Sequence, residues 1–183
     1  GNGAEPVSAV LRQTKPGTPG ENYTFSGYSF FDPGYSGGVE TLDPTSPLGE
    51  IPSPTESSFE LAFLNAGGTV IGSASLDLRT EQCNGCSWVQ HTLNGVAPPG
   101  TANVRVTASA IDMVPNLPSG PMSAFYDTFS LRRASAPATE ILTNADLNVA
   151  PDPIVAGWDT SGPHSYEGFS AHSGASAAST CAW

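Results

Sequence analysis

The segment Gly34-Tyr35-Ser36-Gly37-Gly38 has the G-x-S-x-G spacing of a hydrolase nucleophile. In that chemistry the serine stands between a strand and a helix, so that its hydroxyl is exposed and backbone N–H groups form an oxyanion hole. Here Asp32-Pro33 precedes the serine and a proline-rich loop follows it. These flanks favour an ordinary glycine turn, and we expect neither a catalytic serine nor enzyme activity.

The three histidines, His91, His164 and His172, could act as bases or metal ligands. Their spacing matches neither a known catalytic triad nor a known metal-binding motif. His91 is therefore assigned to a strand and the other two to loops. A pair of carboxylates for glycoside hydrolysis stays open at this point, because such a pair is brought together by the fold and not by spacing in the sequence.

Cys83 and Cys86 flank Asn84-Gly85 in a polar stretch, where a small disulfide-closed turn is expected. A lone C-x-x-C can also be a redox site or half a metal site, but the second pair that structural zinc needs is missing. Disulfides indicate an oxidising, extracellular setting. Cys181 is the odd cysteine, and it could pair within the fold or bridge to another chain.

Composition indicates one all-β domain. The 183 residues include 20 Gly and 17 Pro, and only 13% of them are charged, which is typical of short strands joined by turns. The net charge of −11 disfavours nucleic acid as a partner. No apolar run is long enough for membrane insertion. Because GNGAEP is neither an initiator Met nor a signal peptide, we expect a processed chain or a piece of a longer one.

Alternation of apolar and polar residues predicts the strands. It is found in Val7-Ala9-Leu11, Tyr23-Phe25, Phe59-Leu61-Phe63, Ala74-Leu76-Leu78, Val104-Val106-Ala108-Ala110 and Phe125-Phe129-Leu131. The clearest hairpin turn is NAGG at 65–68. Between 32 and 56, prolines break regular pairing and predict a long loop packed on its own sheet, with a functional loop or an intersubunit arm as the alternatives.

The end of the chain lacks a core of its own. Residues 1–133 hold the main part of the predicted sandwich, and 134–138 have the composition of a linker. Residues 139–183 contain many large apolar side chains but are too few to bury them. Six residues here are candidates for contacts between subunits: Ile141, Leu142, Leu147, Trp158, Cys181 and Trp183.

Several short motifs match a known family, in rotated order. They are Leu142-Thr143-Asn144-Ala145-Asp146-Leu147-Asn148, Gly157-Trp158, Val10-Leu11-Arg12-Gln13, Tyr23-Thr24-Phe25-Ser26, Trp88, 97–106 and Phe125-Tyr126-Asp127-Thr128-Phe129-Ser130-Leu131. On these residues the chain resembles the jelly-roll carbohydrate-binding modules, of galactose-binding-like fold, of secreted bacterial glycoside hydrolases and cell-surface proteins. The family opens with the motif found here near the end of the chain.

The resemblance implies an antiparallel jelly-roll β-sandwich with long loops. It also implies a structural Ca²⁺ at acidic positions, of which Asp127 is present while Asn148 and Thr128 replace two carboxylates. The ligands left for calcium are Asp127 and backbone oxygens, and no other cofactor is expected.

Aromatic side chains are the usual means of holding a sugar ring. The candidates for carbohydrate binding are Tyr28, Tyr35, Trp88 and Tyr126. Tyr28 and Tyr126 lie on the alternation phase opposite to that of the apolar residues on the same strands, so both are expected to point outward.

Two functions compete. The first is a non-catalytic extracellular structural protein, a subunit or tandem repeat whose residues 139–183 complete the sheet of the next copy by strand donation, giving a head-to-tail surface filament with copies of itself as partners. Cys181 could lock successive units. The alternative is a carbohydrate-binding module of a secreted polysaccharide-degrading or adhesive protein, in which the same segment folds back on its own sandwich.

Overall fold

Two antiparallel sheets form a β-sandwich in the computed structural model, which confirms the predicted fold class. The structure describes residues 6–38, 52–114, 123–148, 156–162, 165–167, 172 and 177–181. Within these ranges, no helix is long and apolar enough to cross a bilayer. Most of the segment between 32 and 56, which was predicted to be a long loop packed on its own sheet, with a functional loop or an intersubunit arm as alternatives, lies outside the described residues.

The first sheet has five strands in the order β4-β3-β6-β1-β8. Their bounds are β1 Val7–Pro16, β3 Glu56–Leu64, β4 Val70–Asp77, β6 Asn103–Met113 and β8 Asp159–Ser161. The second sheet has the order β5-β2-β7-β10-β9. Its strands are β2 Asn22–Phe31, β5 Val89–Val96, β7 Ser123–Arg133, β9 Ser165–Glu167 and β10 Ala177–Cys181. A 3-10 turn, Leu78–Thr80, follows β4.

The core forms where the two inner faces meet, and aromatic rings fill its centre. Phe25 of β2 lies 5.6 Å from Phe59 of β3 and 5.8 Å from Phe129 of β7, measured between ring centroids. Phe25 and Phe59 are fully buried. Burying each such ring contributes roughly 1.5–3 kcal/mol, so alternation at these strands determines which faces pack together.

The predicted hairpin between β3 and β4 is present. Gly68 adopts a φ of 82°, a left-handed conformation that glycine takes without the steric cost of a side chain. The Asn65 side chain accepts hydrogen bonds from the backbone N–H groups of Gly67 and Thr69, each at 3.0 Å. Asn65 therefore holds the loop in the way that asparagine side chains commonly stabilise turns.

The last part of the chain packs on its own sandwich. Strand β8 pairs with β1, and β10 pairs with β7, so the segment adds strands to both sheets. Its apolar side chains Leu142, Leu147 and Trp158 belong to the buried core. The Trp158 ring lies 4.9 Å from the Phe129 ring.

A bulge in β7 overturns one prediction about side-chain direction. Thr128 has a φ of 49°, and the register between β2 and β7 shifts between Ser26 and Tyr28. An extra residue in one strand reverses which face the following side chains occupy. The prediction that Tyr126 points outward is therefore wrong, because this ring is only 1% exposed and lies in the core.

Candidate functional site

Aromatic side chains cluster on the outer face of the second sheet, at the end formed by the C-terminal part of β2 and the first residues of β5 and β7. We call this cluster the aromatic face. It consists of Tyr28, Phe30, Trp88, Phe125 and His172. Phe125 is buried and His172 is exposed. The other three, Tyr28, Phe30 and Trp88, are half-buried. The cluster therefore combines one buried ring with others that reach the surface.

Strand register explains why these rings meet. Phe30 lies opposite Phe125 across the β2–β7 pair, with ring centroids 5.7 Å apart. Two residues earlier on the same side of β2, Tyr28 lies opposite Asp127. Trp88 immediately precedes β5 and places its ring 5.7 Å from Phe30. Residues two apart on a strand share a face, so β2 supplies two neighbouring rings.

His172 joins the face from the C-terminal segment. Its imidazole stacks on the Tyr28 ring, with centroids 3.6 Å apart and planes inclined by 19°. It also meets Trp88 edge-on at 5.8 Å. The buried carboxylate of Asp127 accepts a hydrogen bond of 2.9 Å from the backbone N–H of His172 and one of 2.6 Å from that of Thr128. Asp127 therefore anchors the histidine on the sheet.

The disulfide-closed loop positions Trp88. The predicted bridge between Cys83 and Cys86 is present. Gly85 donates its backbone N–H to the carbonyl of Phe31 at 2.8 Å, which ties the loop to the end of β2. The Asn84 amide donates to the carbonyl of Tyr35. These contacts fix the chain only a few residues before the tryptophan.

A buried polar network lies beneath this loop, on the inner side of the sheet. The Ser29 hydroxyl is 2.6 Å from Oε1 of Gln82 and 2.9 Å from Nε2 of His91. Ser29 and Gln82 are fully buried and His91 is 4% exposed. Burial lowers the pKa of His91, because the charged imidazolium is disfavoured away from water. A serine and a histidine meet here, and both side chains are buried.

Two of the predicted sugar-binding tyrosines lie in the core. Tyr35 is fully buried and its hydroxyl is 2.8 Å from that of Ser57. The Tyr126 hydroxyl donates to the carbonyl of Ser109 at 3.2 Å. Burial raises the pKa of both phenols. Neither ring is accessible to a ligand, whereas Tyr28 and Trp88 both belong to the aromatic face.

The serine of the G-x-S-x-G segment is also internal. Ser36 is 2% exposed and its hydroxyl lies 2.6 Å from that of Thr55. The residues around it form turns, as expected from the flanking glycines and proline. The hydroxyl of Ser36 is therefore buried and already hydrogen-bonded, unlike the exposed serine hydroxyl of a hydrolase nucleophile.

No group of three or more His, Cys, Asp or Glu side chains surrounds a common point within the described ranges. Both carboxylate oxygens of Asp127 accept backbone N–H groups, which is the role of a structural anchor. Calcium at Asp127 stays a prediction.

The candidates for contacts between subunits fall into two groups. Leu142, Leu147 and Trp158 are buried in the core of their own chain, and Ile141 packs against it. Cys181 belongs to β10 and pairs with Ser123, but its side chain lies outside the described part. Trp183 is also outside that part. Contacts between subunits through these residues stay a prediction.

Three members of the aromatic face were not predicted from the sequence. Phe30 shares its strand face with Tyr28, so the period of two could have identified it. Phe125 was assigned to the core, and only the bulge at Thr128 turns it outward. His172 is 44 residues from Thr128, whose hydroxyl lies 3.3 Å from its Nδ1. Such a long-range contact leaves no local signal.

Comparisons with known proteins identify no family. No family model and no curated protein matches the chain. Among solved structures, it is similar to the enzymatically active domain of tailspike protein 4 of bacteriophage CBA120, with 14% identity and a TM-score of 0.40. That match covers 59% of this chain and 12% of the tailspike chain. The chain thus spans a small part of the length of the structure that it matches.

Proposed function

We propose that this chain is a non-catalytic, extracellular β-sandwich module that binds a neutral polysaccharide through the aromatic face. The observation that supports this most strongly is the group of half-buried rings of Tyr28, Phe30 and Trp88 on the outer side of a sheet. Most other outward positions on the same strands are polar, among them Thr24 and Thr92. The exposed Val96 lies at the opposite end of β5, so the rings are concentrated at one end of the face, which favours a ligand over general coverage.

Sugar rings fit this surface chemically. The C–H groups of a pyranose stack on aromatic faces, and nearby polar groups hydrogen-bond to its hydroxyls. Gln90 is exposed and lies opposite Tyr28 across the β2–β5 pair, where its amide can supply such bonds. Thr128 and His172 supply further polar atoms at the other side of the tyrosine.

Charge favours a neutral glycan. The chain has 17 acidic and 6 basic residues, with a net charge of −11. A field of that sign repels uronic acids and sulfated sugars at low ionic strength. An uncharged polysaccharide avoids this repulsion, so the ligand that we propose is a neutral polysaccharide.

The disulfide supports the compartment, and the burial of Ser29 and His91 disfavours catalysis by this pair. The Cys83–Cys86 bridge is typical of an oxidising environment outside the cytosol. The described serine and histidine that come within hydrogen-bonding distance, Ser29 and His91, are buried. Chemistry on a polymer needs a nucleophile or base that the polymer can reach, which these two residues do not offer.

Affinity electrophoresis tests the proposal. The wild type is run through gels that contain single neutral polysaccharides, beside Trp88→Ala and Tyr28→Ala. Stacking on one ring contributes about 0.5–1.5 kcal/mol, so each variant should bind about 2- to 12-fold more weakly to any polysaccharide that retards the wild type.

Val96→Ala is the matched control, because Val96 is an apolar residue of β5 that is 60% exposed and lies at the opposite end of that strand. It should be retarded like the wild type. The proposal is wrong if no neutral polysaccharide retards the wild type, or if both aromatic variants migrate as the wild type does.

A further inference from the structure

Both sheets of the sandwich are completed by one C-terminal segment, residues 139–181. Its strand β8 lies beside β1 at the edge of the first sheet. Its strand β10 lies beside β7 in the second sheet, followed by β9. The rest of the fold, which we call the body (residues 7–133), contains the other strands. The body alone would leave β1 and β7 as open edges, which readily pair with another chain.

The described contacts of this segment are made mostly with the body. Leu147 is fully buried and Leu142 is 7% exposed, both within the common core. Gln13 of β1 donates its amide to the carbonyl of Thr143 at 2.9 Å and accepts the backbone N–H of the same residue at 2.7 Å. Gln13 is 3% exposed, so this pair of bonds specifically recognises the segment.

The covalent connection between body and segment is a short exposed turn. Residues 134–138 join them, and most are exposed. The turn is held by a bond from the N–H of Ala136 to the carbonyl of Arg133 at 3.0 Å and one from Thr139 to Ala136 at 3.1 Å. It includes Pro137, whose ring disfavours helical backbone at the preceding residue and favours an extended link. Opening this turn breaks these bonds and those from Ser135 to the Glu21 carboxylate, none of which involves a buried residue.

We propose that residues 139–181 exchange between two copies of the chain, so that the segment of each copy completes the body of the other. The body offers the same partners to the segment of either copy, so the described contacts between segment and body could all form again in the exchanged pair, and only those of the turn would change. Exchange of an identical element is a low-cost route to a dimer. In the exchanged form the partner's His172 would stack on Tyr28, so both copies would contribute to the aromatic face.

Mass action sets the concentration at which exchange occurs. A short linker gives the attached segment an effective concentration on the order of 1 mM. Monomers therefore predominate in dilute solution. While dimers are the minor species, the ratio of exchanged to unexchanged chains should rise roughly tenfold for each tenfold increase in concentration during refolding.

Cross-strand cysteines can capture the exchanged form. Arg12 and Asp159 are exposed register partners in the β1–β8 pair. Partners in antiparallel strands have Cα atoms about 4.5–5.5 Å apart, within the range of a disulfide. Arg12→Cys and Asp159→Cys are made in separate chains, each with Cys181→Ser to remove the odd cysteine. The two chains are unfolded together without reductant, refolded over about 10 μM to about 1 mM and then oxidised.

Exchange predicts a 12–159 disulfide between chains, identified by mass spectrometry of the linked peptides, with a yield that rises with concentration. Each single variant refolded alone reports random collision through 12–12 or 159–159 disulfides, which should form less than the 12–159 linkage of the mixture. The double variant in one chain should close internally when dilute. The proposal is overturned if the mixture forms no 12–159 linkage between chains while the double variant closes internally. Failure of the double variant to close would overturn it too, because β8 would then not pair with β1.

Discussion

Replacing Trp158 tests whether the C-terminal segment is an integral part of the fold. The indole is 4% exposed, packs 4.9 Å from Phe129 and donates its N–H to the carbonyl of Asn144 at 3.1 Å. Truncating a buried tryptophan to alanine costs about 3–5 kcal/mol. Because domains are stable by only about 5–15 kcal/mol, Trp158→Ala should lose a large share of the free energy of unfolding.

Urea unfolding followed by circular dichroism measures this loss. Trp158→Phe keeps a ring against Phe129 but removes the hydrogen bond to Asn144, so it should lose about 1 kcal/mol from that bond and some packing besides. Trp88→Ala is the matched control. Its ring is half-buried on the outer face, and the variant should stay closer to the wild type than Trp158→Ala does. Each kcal/mol lost should lower the Tm by about 2–4 °C in a chain of this size.

The reasoning would be refuted if Trp158→Ala unfolded within about 0.5 kcal/mol of the wild type, which is the usual range for surface substitutions. That result would mean that the segment does not complete the core. A loss equal to that of Trp88→Ala would have the same meaning, since a buried tryptophan must contribute more than a half-buried one.

Three further perturbations follow from the packing. Gly27→Ala should destabilise the fold by about 1–3 kcal/mol in urea unfolding, because its Cβ would lie 2.5 Å from Cδ1 of Phe129. Burial lowers the folded-state pKa of His91 below its unfolded value of about 6.5, so near and below that pH the unfolded chain binds more protons than the folded one. The free energy of unfolding should therefore fall as the pH drops below about 6.5. In His91→Gln this part of the pH dependence should vanish. Gly162→Ala should weaken the docking of β8, measured as faster amide exchange at β1, because Gly162 has a φ of 77° and an added Cβ would meet the carbonyl of Ser8.

The alternation pattern predicted the strands best where inward residues are apolar. Phe25 and Phe59 stand at positions that alternate cleanly, and they form the centre of the core. His91 was assigned to a strand, but β5 as a whole lacked such a pattern, because its inward positions include this imidazole, which is held by buried polar groups. A period of two cannot distinguish such a strand from a polar loop.

The candidate site was harder to predict because it depends on bulges and long-range contacts. The reversal at Thr128 turns Tyr126 inward and Phe125 outward, and nothing in the local sequence marks that residue for a φ of 49°. Tyr28 and Trp88 were predicted to bind sugar, and the fold places both at the aromatic face. The ring of His172, which lies between them, comes from a distant part of the chain.

The indole N–H signals in a ¹H–¹⁵N NMR spectrum test the central claim most directly, because the described part of the chain contains one tryptophan on the aromatic face and one in the core. On titration with a soluble oligomer of a neutral polysaccharide that retards the protein, the signal of Trp88 should shift and saturate. The signal of Trp158, which is 4% exposed and bonded to Asn144, should stay in place. A titration in which Trp88 does not move, or in which both indoles move equally, would contradict binding at the aromatic face.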